Sequence, residues 1–171
     1  MFDALKNFIA EVSGMAAPAR HFGEEDYRLA AVALLVHVAN VDGYADLAER
    51  RRLKTIIGER FCLNPKETNE LIAQAEQSDR KAVDFYHFTS ILKRALDDGG
   101  RQKIVEMLWE IAYADGAAGE FEENTIWRIA ELLGVPTRDR VRLRQHVTGC
   151  APVEAASFEG PWTVATAKDK A

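Results

Sequence analysis

The sequence contains one helical unit twice, and this repetition limits the folds that the chain can adopt. A shift of 73 residues aligns Val32–Ile56 with Val105–Ile129. Apolar residues recur at helical spacing on both sides of an Asp-Gly turn in each copy. The repeat therefore predicts two helical hairpins of one design, related by a pseudo-two-fold axis. The identical positions, numbered in the first copy, are Val32, Leu35, Ala39, Asp42, Gly43, Ala45, Glu49 and Ile56.

Helical periodicity continues outside the repeat, and no strand-type alternation interrupts it. The segment from about Asp26 to Val41 is apolar on nearly every face, as is typical of a helix in the middle of a bundle. Asn64–Glu67 supplies an N-cap, a proline at the first helical position and a glutamate at the third. Asp97–Gly100 predicts a helix end, because these residues tolerate positive φ. We expect a single all-α bundle of about seven helices with two pseudo-symmetric hairpins.

Three regions differ in pattern along the chain of 171 residues. We expect an N-terminal amphipathic helix and linker in residues 1–23, the helical domain in residues 24–150, and a flexible C-terminal tail in residues 151–171, which lack periodicity. In this last segment, Phe158 and Trp162 are the only large apolar side chains that could bind a surface. No apolar run reaches the ~20 residues that a membrane span needs. The N-terminus lacks the basic and apolar regions of a signal peptide, so we expect a cytoplasmic protein.

Charge and cysteine content exclude several functions. The net charge of −5 gives no drive toward nucleic acid or anionic membranes. We therefore expect no nucleic-acid binding and no membrane insertion. The two cysteines, Cys62 and Cys150, do not form the pairs that zinc sites require.

Each repeat carries Asp-Gly followed by five residues and a glutamate, which purely local structure could explain. Gly43 and Gly116 fall where a helix must end in a left-handed conformation. Asp46 is the predicted N-cap three residues before Glu49, and Gly119 takes the same place before Glu122. Both glutamates therefore fall at the third helical position, where a glutamate closes a capping box. The aspartates before the glycines have a weaker local reason, because a carboxylate at a helix C-terminus opposes the helix dipole.

An EF-hand loop does not fit either copy. Aspartate, glycine and glutamate match the fifth, sixth and twelfth loop positions. The first position should be an acidic ligand, but it is Val38 in one copy and Ile111 in the other. A loop that lacks its first ligand twice cannot build the usual oxygen cage.

A shared site is the second explanation of the two units. If the halves pack symmetrically, four carboxylates converge, and they would repel one another or protonate. A divalent ion of the Mg²⁺, Ca²⁺ or Mn²⁺ class would neutralise them, and so would Arg50, Arg51 or Lys103. The predicted metal ligands are Asp42, Glu49, Asp115 and Glu122.

The stretches VHVANVDGYADLAERRRLKTI and LWEIAYADGAAGEFEENTIWRIAELLGV resemble the tellurite-resistance TerB family. Its superfamily includes the N-terminal domain of the membrane co-chaperone DjlA. The resemblance covers roughly residues 24–147 and implies a single helical domain with a metal site at the four carboxylates. It also implies a role in tellurite, metal-oxyanion or general stress response, with a protein partner for which a membrane-associated complex is one candidate.

No catalytic motif accompanies the acidic units, so we expect a non-enzymatic protein. His37, and Glu110 at the equivalent repeat position, could orient an ion ligand or serve as an extra ligand, or His37 could be a satisfied core residue. The alternative function is an interaction adaptor like the DjlA N-terminal domain, with purely structural acidic corners. The chain has no His-Pro-Asp triplet and hence no J domain. Self-association is left open, as are the identity of the ion and of the partner.

Overall fold

A computed structural model of the protein describes residues 22–43 and 47–149. This part of the chain is all-α, as the periodicity predicts, and it contains no strand. The predicted N-terminal helix and the segment 151–171 lie outside the described residues. The helices are α1 (Tyr27–Asn40), α2 (Leu47–Arg60), α3 (Pro65–Lys81), α4 (Tyr86–Ala95), α5 (Asp98–Ala112), α6 (Glu120–Leu132) and α7 (Thr137–Thr148).

Helix α1 is the centre of the bundle, as its nearly continuous apolar sequence predicts. Its central side chains, Leu34 and Leu35 among them, are fully buried. Asp26 caps its start by accepting a hydrogen bond from the Arg28 backbone N–H at 2.9 Å. The helix packs against every other helix of the described bundle except α7. No helix in residues 22–43 or 47–149 is long and apolar enough to cross a bilayer.

The internal repeat extends to the packing of the helices. In the first half α1 packs on α3, and in the second half α5 packs on α7. Between the halves, α1 contacts its repeat counterpart α5. Helix α1 also contacts α6, and the equivalent contact with the halves exchanged, between α5 and α2, is present too. This exchange is the pattern that a pseudo-two-fold axis produces. Helix α4 joins the halves and packs on α1 and α6.

The helix predicted to end at Asp97–Gly100 does end just before this segment, but the expected positive φ is absent from it, and the segment begins the next helix. Helix α4 ends at Ala95, and α5 begins at Asp98. The Asp97 side chain accepts a hydrogen bond from the Gly100 N–H at 2.7 Å, so it caps the start of α5. Aspartate suits a helix start better than a helix end because it accepts from free N–H groups there and complements the dipole.

The capping box predicted at Asn64–Glu67 is present in full. The Asn64 side chain accepts from the Glu67 N–H at 2.9 Å, and the Glu67 carboxylate accepts from the Asn64 N–H at 3.1 Å. We expect Asn64→Ala to lower the free energy of unfolding by about 1 kcal/mol, measured by urea denaturation. Asn64→Asp keeps an acceptor at this position and should restore most of that loss. Equal losses in the two variants would contradict the capping role.

Candidate functional site

The two Asp-Gly corners have the same backbone structure. The Gly43 N–H donates to the Asn40 carbonyl at 3.0 Å, and the Gly116 N–H donates to the Tyr113 carbonyl at 3.1 Å. Gly43 has φ of 131° and Gly116 has φ of 104°, which side chains rarely adopt. The predicted local reason for both glycines is therefore confirmed.

The second corner supplies local hydrogen bonds to two of the predicted ligands. Glu122 accepts from the Gly119 backbone N–H at 2.7 Å, which is the predicted cap of α6. Asp115 accepts from the Ala117 N–H at 3.2 Å, a turn contact that the sequence pattern did not predict. Asp46, predicted to cap α2 with Glu49, lies outside the described residues. Local structure thus explains part of the acidic pattern.

The four predicted carboxylates interact electrostatically at Glu122. This residue is buried, with 6% of its surface exposed. Desolvation raises the pKa of Glu122, and repulsion by Glu49, Asp42 and Asp115 raises it further. The hydrogen bond from Gly119 acts in the opposite direction and is outweighed. Carboxylates of both repeats therefore act on one buried group. Asp42 and Asp115 are exposed, and Glu49 is half-buried.

A close approach between Asp42 and Gly119 brings the first corner to the start of α6. A Cβ atom added at Gly119 would collide with Asp42 Oδ2 and lie 3.3 Å from Glu122 Oε2. The absence of a side chain at Gly119 therefore makes room for the Asp42 carboxylate beside that of Glu122. Sequence reasoning missed this role, although Gly119 breaks the repeat at the position of Asp46.

The donor set suits a hard divalent cation, since every predicted ligand is a carboxylate oxygen. In the part of the chain that the structure describes, no three histidine, cysteine or acidic side chains form a group that could hold a metal ion. The carboxylates share an electrostatic field without forming a complete cage.

Three of the four carboxylates have no basic partner in residues 22–43 and 47–149. There, Asp42, Asp115 and Glu122 form no ion pair with lysine or arginine. The predicted alternative, that Arg50, Arg51 or Lys103 supplies the counter-charge to these carboxylates, therefore has no contact to support it among the described residues.

His37 and Glu110 make their contacts away from the four carboxylates. His37 Nδ1 lies 2.8 Å from Asp79 Oδ1 on α3. Glu110 pairs with Arg60 at 2.7 Å and with Arg52 at 3.5 Å, both on α2. These partners fit structural pairs between helices, so neither residue is placed as an orienting group of an ion site.

Comparison with known proteins gives one family match. The family described as Tellurite resistance protein TerB matches residues 28–145, which include both corners and all four carboxylates. The chain matches no curated protein and no solved structure.

Proposed function

Because the chain belongs to the TerB family, we propose that it is a non-enzymatic helical module that binds one divalent cation between its two repeats. The cation would be held by Asp42, Glu49, Asp115 and Glu122, and it would belong to the Mg²⁺, Ca²⁺ or Mn²⁺ class. Binding would replace the repulsion between these carboxylates with attraction to a shared positive charge.

One observation carries the proposal, namely the buried Glu122 carboxyl, whose pKa is raised by burial and by repulsion from three carboxylates of both halves, with the Asp42 carboxylate close to it at Gly119. Such an arrangement destabilises the folded chain unless a proton or a cation compensates it. A cation would supply that compensation at neutral pH. Because it would contact both repeats, its binding would also stabilise the packing of one half against the other.

The cellular role that we propose follows the family name, which refers to tellurite resistance. We infer a cytoplasmic role in the response to metal oxyanions or to general stress, exerted through a protein partner in a membrane-associated complex. In a module of this kind, cation binding would change the stability of the fold and the surface that a partner contacts.

Isothermal titration of chelator-stripped protein with Mg²⁺, Ca²⁺ and Mn²⁺ tests the proposal. We expect one site per chain in the natural sequence and an affinity at least tenfold weaker in the Asp42→Asn/Asp115→Asn variant. The Glu59→Gln/Glu131→Gln variant is a matched control, because it removes two exposed carboxylates elsewhere and should bind like the natural sequence. Absence of binding to the natural sequence, or equal affinity in the two double variants, would contradict the metal site.

A second candidate is the interaction adaptor, which exposed apolar side chains favour. Val83 is 100% exposed and Tyr86 is 69% exposed, and both follow α3 on one surface of the bundle. Under this function the acidic corners would serve only as caps, as the Glu122–Gly119 hydrogen bond illustrates. Titrations without cation binding would favour the adaptor over the cation-binding module.

A further inference from the structure

The first half of the bundle has an open groove between α1, α2 and α3. Its volume is about 210 Å³, below the ~300–1,000 Å³ of pockets that enclose small-molecule ligands. A groove of this size suits one or two side chains of a peptide segment. The groove is lined by apolar side chains, namely Val36, Ala39, Leu47, Leu53 and Ile72, and by the polar side chains Asn40, Arg50, Arg51, Lys54 and Glu76.

In the second half, aromatic side chains occupy the equivalent positions. The Trp109 ring lies 6.0 Å from the ring of Trp127 and 6.0 Å from the ring of Tyr113, measured between centroids. The Arg144 guanidinium of α7 lies 5.6 Å from the Trp109 ring centroid. The second half therefore fills this space with its own aromatic groups. The 73-residue shift places Trp109, Tyr113 and Trp127 where the first half has Val36, Asn40 and Lys54.

Charge also distinguishes the two halves at this place. Arg50, Arg51 and Lys54 form an exposed basic rim, and no carboxylate of the described residues pairs with them. The repeat counterpart of Arg50 is Glu123 on α6, which forms an ion pair with Arg144 on α7. This ion pair connects the two helices in the second half. The open groove thus combines an apolar floor with three basic side chains that form no ion pair among the described residues, while the acidic lining residue Glu76 pairs with Arg80.

We propose that this groove binds the segment Glu154–Trp162 of the same chain, with Phe158 or Trp162 as the aromatic anchor. The repeat supports an aromatic occupant, because aromatic rings fill the equivalent space in the second half. Charge supports this segment, because residues 151–162 carry Glu154 and Glu159 and no lysine or arginine. Residues 1–21 are the other candidate of this chain, but their two acidic side chains are balanced by one lysine and one arginine.

The connection is long enough to reach the groove. Helix α7 ends at Thr148, and its His146 and Val147 border a recess together with Arg52 of α2. The segment therefore starts beside the helix that carries the basic rim. Phe158 follows Gly149 by nine residues, which extend to roughly 30 Å. This reach exceeds the ~10–12 Å diameter of a helix, so the segment can pass around α2.

The indole N–H resonance of Trp162 in the ¹⁵N-labelled full chain tests the proposal. Trp162→Phe identifies this signal among those of the three tryptophans. We expect a signal displaced from its position in an unstructured peptide of residues 151–171. Arg50→Glu/Arg51→Glu should return it to that position, whereas Arg50→Lys/Arg51→Lys should not. Lys93→Glu/Arg138→Glu makes the same charge change at exposed sites elsewhere and should leave the signal unchanged.

Three results would overturn the proposal. The first is a Trp162 signal at the unstructured-peptide position in the natural sequence. The second is a displaced signal that does not respond to reversal of the rim charge. The third is a displacement that disappears on tenfold dilution, which would assign the occupant to a second copy of the chain.

Discussion

Glu122→Gln is expected to stabilise the protein without divalent cation and to remove the further stabilisation that a cation provides. The raised pKa of Glu122 shows that burial and repulsion outweigh its hydrogen bond from Gly119. A glutamine keeps an acceptor for that N–H and removes the charge. We expect the melting temperature in chelator to rise by about 2–4 °C, which corresponds to about 1 kcal/mol in a chain of this size.

At a saturating cation concentration, the natural sequence should be more stable than Glu122→Gln. This is the reverse of their order of stability in chelator. At a concentration of about one hundred times Kd, binding stabilises the natural sequence by about 2.7 kcal/mol. The variant lacks one proposed ligand and should gain little. Glu120→Gln, an exposed neutralisation on the same helix, should respond to the cation like the natural sequence. An equal cation response in Glu122→Gln and the natural sequence would contradict the role of Glu122 as a ligand.

The same substitution predicts a pH dependence with a definite sign. A carboxyl whose folded pKa is raised stabilises the fold below its unfolded pKa, and this contribution is lost as the pH rises through the folded value. The natural sequence and Glu122→Gln should therefore be similar in stability at about pH 4 and diverge toward about pH 7, with the variant more stable in chelator. Denaturation with urea at both pH values measures the divergence.

Trp109→Ala should have the largest effect on stability of the substitutions considered. Trp109 is fully buried and contacts the rings of Tyr113 and Trp127, so its removal leaves a cavity that the surrounding helices cannot fill. We expect a loss of about 3–5 kcal/mol in the free energy of unfolding. The loss should be at the low end, because the indole Nε1–H has no hydrogen-bond acceptor among the described residues.

Val36→Ala is the matched control for Trp109→Ala at the equivalent repeat position. Val36 borders the open groove, so less packing is lost when its side chain is shortened. Urea denaturation should give a clearly smaller loss for this variant. A loss below about 1 kcal/mol for Trp109→Ala would contradict its place at the centre of the second half.

Several elements were predictable because their causes are local or periodic. The continuous apolar sequence of α1 predicts a buried central helix, and the structure confirms it. The Asn64–Glu67 pattern predicts a capping box, since all of its partners lie within one turn. At Asp97–Gly100 a helix end was predicted in the right place but for the wrong reason, because the same residue types suit a helix start as well as a helix end.

The sequence by itself determined the all-α class, the two equivalent corners and the four carboxylates that could meet, because a repeat imposes the same local structure twice. Only the tertiary structure decided how the halves differ. Asp42 lies against Gly119 through packing between distant segments, which no local pattern encodes. The groove is open in one half and filled in the other because Trp109 meets Trp127 and Arg144 only after α5, α6 and α7 pack together.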